Sequence, residues 1–137
     1  AGHSDDLLPL HPSDTIICEQ VFRYGRADIV IYHVDGSVSV VEAKDGSRGY
    51  SAVVAGIGQA TLYAVQVAQA KGVARVVRRC LLWSSTQDLV LDAMIETACE
   101  EAGVISLAMP SAQVLKAVRL AAHAYVERVA NGCTQES

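Results

Sequence analysis

Aromatic residues are scarce in this chain of 137 residues, where Phe, Trp and Tyr together make up 5%. With so few rings, a hydrophobic core has to be built from aliphatic side chains, and 51% of the residues are apolar. Charged residues account for only 19%, and this combination excludes an intrinsically disordered chain. The length fits one domain that can bury about two-thirds of its unfolded surface without disulfides or structural metals.

Paired cysteines are also missing. None of the four cysteines belongs to a C-x-x-C pair, and they are Cys18, Cys80, Cys99 and Cys133. In a chain that can form its own core, this usage indicates free thiols in a reducing compartment and predicts a cytoplasmic protein.

An excess of basic residues is missing too, because the formal net charge is −4. Contact with a nucleic acid would therefore have to come from a local patch. Between Arg23 and Arg79, eight basic residues outnumber four acidic ones. The candidate contacts to a phosphate backbone in this region are Arg75, Arg78 and Arg79. The alternative interpretation is that these charges protect an edge strand of the sheet.

Residues 49–70 carry no formal charge and are long enough to cross a bilayer. Three amides, Gln59, Gln66 and Gln69, interrupt this stretch. Amide side chains are costly in lipid, so we interpret the stretch as a helix of a soluble protein and expect no membrane contact.

Apolar periodicity and turn signals predict the order β-β-β-α-β-α-β-α. Strands are expected at 15–24, 27–34, 37–44, 74–83 and 104–109, and helices at 53–71, 86–102 and 111–130. Ser85 is the predicted cap of the second helix, with Asp88 completing a capping box. Residues 1–14 are interpreted as a lead-in that could include a cloning remnant, residues 15–131 as a single domain and 132–137 as a tail. The order predicts an α/β fold with a mixed sheet and helices packed on it.

The turn between the second and third strands permits two pairing registers. A two-residue Asp35-Gly36 turn places Asp28 opposite Ala43 and turns Glu42 to the other face. A three-residue loop with Gly36 in the left-handed conformation places Asp28 directly opposite Glu42 instead.

The second register has chemical consequences. Two facing carboxylates repel each other unless one is protonated, a lysine offsets them or a divalent cation lies between them. Lys44 would share a face with Glu42, and the oxygen ligands suit Mg²⁺, which can activate a water for phosphodiester hydrolysis. The simpler interpretation is a solvent-exposed hairpin face that carries ordinary charges.

Three short motifs occur in order: Gly25-x-x-Asp28, Glu42-Ala43-Lys44 and Gln59-x-x-x-Tyr63. Together they resemble the PD-(D/E)XK nuclease superfamily, and the third resembles its RecB-like branch. The resemblance covers about residues 15–83 and implies a restriction-endonuclease-like core, an enzyme that hydrolyses phosphodiester bonds, and Mg²⁺ or Mn²⁺ as cofactor. It implies DNA as the partner, with RNA as the alternative.

The resemblance also implies roles for individual residues. Asp28, Glu42 and the backbone carbonyl of Ala43 would bind the metal, and Lys44 would serve the hydrolytic water. Gln59 and Tyr63 would support the site or touch the substrate.

The sequence departs from the superfamily pattern at two points. Ala27 stands where the superfamily often has proline before the aspartate, and little sequence precedes the first strand. We expect that the helix that often carries a further carboxylate is truncated, or that a later element or another subunit, in a homodimer or larger complex, takes its place. Glu19 is the nearest upstream carboxylate and is a further candidate metal ligand.

Two other functions remain open at this stage. Residues 56–61 imitate the start of a dinucleotide-binding fingerprint, although Thr61 replaces its third glycine. The second alternative is a non-catalytic module on the same fold that binds nucleic acid or protein.

Overall fold

The computed structural model of the chain describes residues 10–71, 76–117 and 119–120. Its strands are β1 (Thr15–Phe22), β2 (Gly25–Tyr32), β3 (Val38–Lys44), β4 (Val77–Trp83) and β5 (Val104–Ala108). Its long helices are α1 (Tyr50–Lys71) and α2 (Leu89–Ala102), a 3₁₀ turn at Gly46–Arg48 precedes α1, and residues 111–117 are also helical. Residues 1–9 of the predicted lead-in at 1–14, the predicted tail at 132–137 and most of the predicted helix beyond residue 117 lie outside the described residues.

The five strands form one sheet in chain order. β1, β2 and β3 pair antiparallel, whereas β3, β4 and β5 pair parallel. The prediction of a mixed sheet with helices packed on it is confirmed. β4 lies between β3 and β5, so the idea that its arginines protect a sheet edge is wrong.

Helices cover both faces of the sheet. On one face, α1 and α2 pack against apolar side chains of the strands, and the buried residues of α1 include Val53, Tyr63 and Val67. On the other face, the helical segment 111–117 buries Val114 against the sheet. The predicted aliphatic core is confirmed, because valine, leucine, isoleucine and alanine dominate all three clusters of buried side chains.

The start of α2 differs from the prediction. Asp88, and not Ser85, is the N-cap, because its carboxylate accepts hydrogen bonds from the N–H groups of Val90 and Leu91. The hydroxyl of Ser85 instead donates a hydrogen bond to the Asp92 carboxylate and accepts one from the N–H of Gln87. The predicted stop at Gly103 is confirmed, since this residue adopts the left-handed conformation with φ of 70°.

Helix α1 starts three residues earlier than predicted, at Tyr50. Its stretch Tyr50–Ala70 is long and apolar enough to cross a membrane by length and composition alone. Core helices meet the same criterion, and α1 packs along β2, β3 and β4. This packing positions the helix directly above the end of the sheet where the predicted site residues lie.

Candidate metal-dependent active site

The three-residue loop is the one that forms between β2 and β3. The N–H of His33 donates to the carbonyl of Ser37 at 2.9 Å, and Gly36 closes the loop with φ of 93°. Ile29 then pairs with Val41, so the next position of the ladder sets Asp28 against Glu42. The register that sets Asp28 opposite Glu42 is confirmed.

Each carboxylate is held by a backbone N–H of the opposite strand. Asp28 Oδ2 accepts from Ala43 N–H at 2.9 Å, and Glu42 Oε2 accepts from Asp28 N–H at 3.0 Å. The two bonds cross between β2 and β3 in opposite directions, so they fix both side chains against one another. Among the described residues, none donates a hydrogen bond to the remaining oxygens, Asp28 Oδ1 and Glu42 Oε1.

Glu42 is a buried carboxylate, with 2% of its surface exposed. Burial first, and the neighbouring Asp28 carboxylate second, raise the pKa of Glu42 to about 8. The Asp28 N–H and Lys44 oppose this shift. Without a bound cation, the raised pKa therefore favours the protonated form of Glu42 at neutral pH.

Lys44 lies two residues beyond Glu42, on the same face of β3 and under α1. Its aliphatic stem runs beneath Gly56 of α1. A Cβ atom added at Gly56 would lie 2.9 Å from Lys44 Cγ and 2.6 Å from Leu81 Cδ1. The absence of a side chain at Gly56 thus lets the lysine pass between the helix and the sheet.

Gln59 and Tyr63 of α1 are directed toward the sheet. Tyr63 is 8% exposed and stacks on Phe22 with ring centroids 5.8 Å apart. Gln59 Oε1 is buried and has no hydrogen-bond partner among the described residues. A buried amide oxygen without a donor is unusual, and here it belongs to a residue predicted to support the site.

The tyrosine of the third motif contacts the glycine of the first. Gly25 adopts φ of +107°, and a Cβ atom there would lie 2.5 Å from Tyr63 Cε1. The tyrosine ring therefore occupies the space left by the missing side chain. This contact holds α1 against the start of β2, three residues before Asp28.

Replacing Gly25 with alanine should lower the free energy of unfolding by about 3 kcal/mol, because it combines a strained φ with a clash against Tyr63. Gly49→Ala is the matched control, since Gly49 has φ of +113° but open space around it. Urea denaturation of both variants separates the cost of the strained φ from the cost of the clash with Tyr63. Equal losses at the two positions would contradict a role for the Tyr63 contact.

Gln66 has a structural role that the sequence did not reveal. Its Oε1 accepts from Tyr24 N–H at 3.0 Å and its Nε2 donates to Tyr24 O at 2.9 Å. One side chain thereby satisfies the backbone N–H and C=O of Tyr24 in the turn between β1 and β2. The only sequence signal was its place on one helix stripe with Gln59 and Tyr63.

A second acidic centre, formed by Asp45, lies where β3 and β4 end, and it was not predicted from the sequence. Asp45 Oδ1 accepts hydrogen bonds from the hydroxyls of Ser47, Ser84 and Ser111 and from Ser47 N–H. The hydroxyl of Ser84 is the largest cause that lowers the pKa of Asp45 to about 2. This centre joins β3, β4 and the start of the helical segment 111–117, directly after Lys44.

Glu19 lies near the two carboxylates but is engaged elsewhere. Its Oε1 forms an ion pair with Arg26 Nε at 2.9 Å. The described residues contain no group of three or more His, Cys, Asp or Glu side chains placed to hold a metal ion. The structure thus brings together Asp28 and Glu42, and metal binding by Glu19 stays a prediction.

The arginines of β4 are not brought to the carboxylates. Arg78 is opposite Ser39 and Arg79 is opposite Val40, whereas Leu81 is the residue opposite Glu42. Arg78 donates to the hydroxyl of Ser37 at the hairpin, and Arg79 reaches Gly103 at the end of α2. Arg75 lies outside the described residues.

Asp28 and Glu42 supply oxygen ligands of the kind that Mg²⁺ prefers, one or two carboxylates completed by water and substrate phosphate. Ala43 N–H points toward Asp28, and in an extended strand the carbonyl of the same residue points to the same side. The residues present therefore fit a divalent cation. They do not fit a dinucleotide, because the glycines of residues 56–61 lie inside α1 and not in a turn between strand and helix.

Comparisons with known proteins bear on the fold. The chain is similar to a crystal structure of a repair endonuclease from Pyrococcus abyssi, at 19% identity and a TM-score of 0.50, over 72% of this chain and 39% of that one. The fold is shared with a repair endonuclease. A structure of an EndoMS–double-stranded DNA complex matches at 15% identity and a TM-score of 0.48, over 74% of this chain and 38% of that one.

The chain spans about two-fifths of the length of these two proteins. Neither a protein-family model nor a curated protein matches it. At this level of identity, the likeness shows the fold, and the predicted restriction-endonuclease-like architecture agrees with it.

Proposed function

We propose that this chain is the catalytic domain of a divalent-metal-dependent nuclease that hydrolyses DNA. The observation that carries the proposal is the meeting of Asp28 and Glu42 across β2 and β3, with Lys44 on the same face. The shared fold with a repair endonuclease supports it.

The proposed roles follow from the positions of the side chains. Asp28 Oδ1, Glu42 Oε1 and the Ala43 carbonyl would hold Mg²⁺ or Mn²⁺, because the other two carboxylate oxygens already accept backbone N–H groups. When bound, the cation would offset charge on the scissile phosphate and lower the pKa of a water. Lys44, held between α1 and the sheet, would orient that water through its ammonium group.

Gln59 would contribute its buried amide to the support of the site or to contact with the substrate. Tyr63 would act mainly through its packing on Gly25 and Phe22. The order of these residues with Asp28 and Glu42 supports placement in the RecB-like branch of the PD-(D/E)XK superfamily.

We expect the purified protein to cleave DNA with Mg²⁺ or Mn²⁺ and not in EDTA. Asp28→Asn, Glu42→Gln and Lys44→Met should each reduce cleavage by a factor of at least ~100, because each removes a metal ligand or the group that serves the water. Product formation on gels, with thermal unfolding of each variant as a check of folding, measures the effect.

Glu101→Gln and Lys116→Met are matched controls, because both residues are exposed and lie on other elements. Both should cleave as the wild type does. Retention of intact DNA with every metal would favour the non-catalytic binding module instead. Cleavage of RNA alone would make the substrate assignment wrong, and neither binding nor cleavage would contradict both functions.

A further inference from the structure

Glu19 has a backbone conformation that its residue type disfavours. It adopts φ of +57° within β1, although it is 9% exposed and carries a full side chain. Residues other than glycine, asparagine and aspartate rarely adopt this left-handed conformation, and then usually in turns. A strained backbone inside a strand and next to a candidate site calls for a structural reason.

The strain coincides with a local opening of the β-ladder. Cys18 pairs with Ile29 and Gln20 with Ala27, so the register is the same on both sides, but the ladder skips the position where Glu19 would pair with Asp28. At that position, Asp28 N–H donates to Glu42 Oε2 at 3.0 Å. The N–H that anchors Glu42 therefore belongs to the residue whose pairing with β1 is interrupted.

We propose that Glu19 is a positioning residue whose left-handed backbone directs the Asp28 N–H to Glu42. An extended residue at this position would restore a regular β1–β2 pair and draw Asp28 into it. The ion pair with Arg26 then holds the Glu19 side chain to one side, at 2.9 Å. The effect of this backbone conformation on metal binding rests on the proposed function, whereas its effect on the direction of the Asp28 N–H does not.

The direct test is hydrogen-bond scalar coupling by NMR in EDTA, between the Asp28 amide ¹⁵N and the Glu42 side-chain ¹³Cδ. The wild type, Glu19→Gly and Glu19→Asn should show the coupling, because glycine and asparagine accept a left-handed backbone. Glu19→Val should lose it, since a β-branched residue strongly disfavours that conformation. Coupling that persists in Glu19→Val, or vanishes in all three variants, would overturn the proposal.

Thermal unfolding supplies a second measurement that does not require the valine variant to fold. Val21→Gly, at an exposed position of the same strand, is the control and should lower Tm by roughly 3–6 °C, as glycine does in ordinary strands. Glu19→Gly should leave Tm unchanged or raise it, because it relieves the strained φ. An equal fall in Tm at both positions would refute the inference.

Cleavage assays then connect the geometry with the proposed function. The Mg²⁺ concentration for half-maximal cleavage should change less than threefold in Glu19→Gly and rise at least fivefold in Glu19→Val. A rise of the same size in both would show that the carboxylate itself matters, which contradicts a backbone role. If the wild type does not cleave DNA, the proposed function fails, and the coupling and Tm results still decide the role of Glu19.

Discussion

Replacing Glu42 with glutamine should make the metal-free protein more stable than the wild type at pH 8, by up to ~4 kcal/mol. Burial and the adjacent Asp28 raise the pKa of Glu42 from 4.5 to about 8 in the folded chain. A glutamine has the same shape, can still accept the Asp28 N–H through its oxygen, and can donate to the Asp28 carboxylate. It keeps the contacts and removes the cost of a buried charge.

The direction of the pH dependence follows from the raised pKa. Between about pH 4.5 and 8, the folded wild type retains a proton on Glu42 that the unfolded chain releases. The contribution of this group to stability is therefore complete below the lower value and is lost as the pH rises toward 8. In Glu42→Gln, this part of the pH dependence should disappear.

Urea denaturation in EDTA at pH 5 and pH 8 measures the effect. Glu101→Gln, at an exposed site on α2, is the control and should follow the wild type at both pH values. The wild type should gain stability from Mg²⁺ at pH 8, because a cation that binds only the folded chain stabilises it by mass action. The same loss between pH 5 and 8 in Glu42→Gln and the wild type would show that Glu42 is not buried as an acid.

The opposition of Asp28 and Glu42 could be predicted from the sequence only as one of two possible registers. Asp35-Gly36 marked the turn, and both possible loops were open until packing decided between them. The three-residue loop brings Val30 of β2 and Val40 of β3 onto one face, where they share a buried cluster with Tyr63 of α1. Burial of this face selects the register, and a one-residue slip would have lost it.

Other parts of the site depend on contacts that short motifs do not encode. Asp45 accepts hydrogen bonds from the hydroxyls of residues up to 66 positions away in the chain. The positive φ of Glu19 arises within a strand that reads as regular, since nothing in its neighbours signals a break. The arginines of β4 were assigned to the site by charge alone, and the parallel pairing with β3 moves Arg78 to the opposite end of the strand.

Two glycines of α1 should respond very differently to the same substitution. Gly56 lies over Lys44 and Leu81, whereas an added Cβ at Gly58 meets nothing within 4 Å. Alanine is favoured over glycine in a helix interior by about 1 kcal/mol, so Gly58→Ala should stabilise the protein by up to that amount. At Gly56 the same gain in helix stability is opposed by overpacking against Lys44 and Leu81, which costs roughly 1–3 kcal/mol.

The larger consequence of Gly56→Ala should fall on catalysis. An alanine Cβ would lie 2.9 Å from Lys44 Cγ and 3.3 Å from Lys44 Cε, so the lysine stem has to move. A displacement of this kind misplaces the ammonium group that is proposed to orient the water, and misplacement near 1 Å can reduce the rate by about 100-fold. We expect kcat to fall at least tenfold while KM for DNA stays nearly constant.

A double-substitution cycle separates the position of Lys44 from general damage to the fold. In the Lys44→Met background, Gly56→Ala should have little further effect on residual cleavage, because the group it displaces is already gone. Gly58→Ala should leave kcat unchanged in both backgrounds. If Gly56→Ala instead lowers cleavage by the same factor with and without Lys44, the glycine acts on the helix as a whole and not through the lysine. Full activity of Gly56→Ala would mean that the ammonium of Lys44 reaches the water by a path that does not depend on its stem beneath α1.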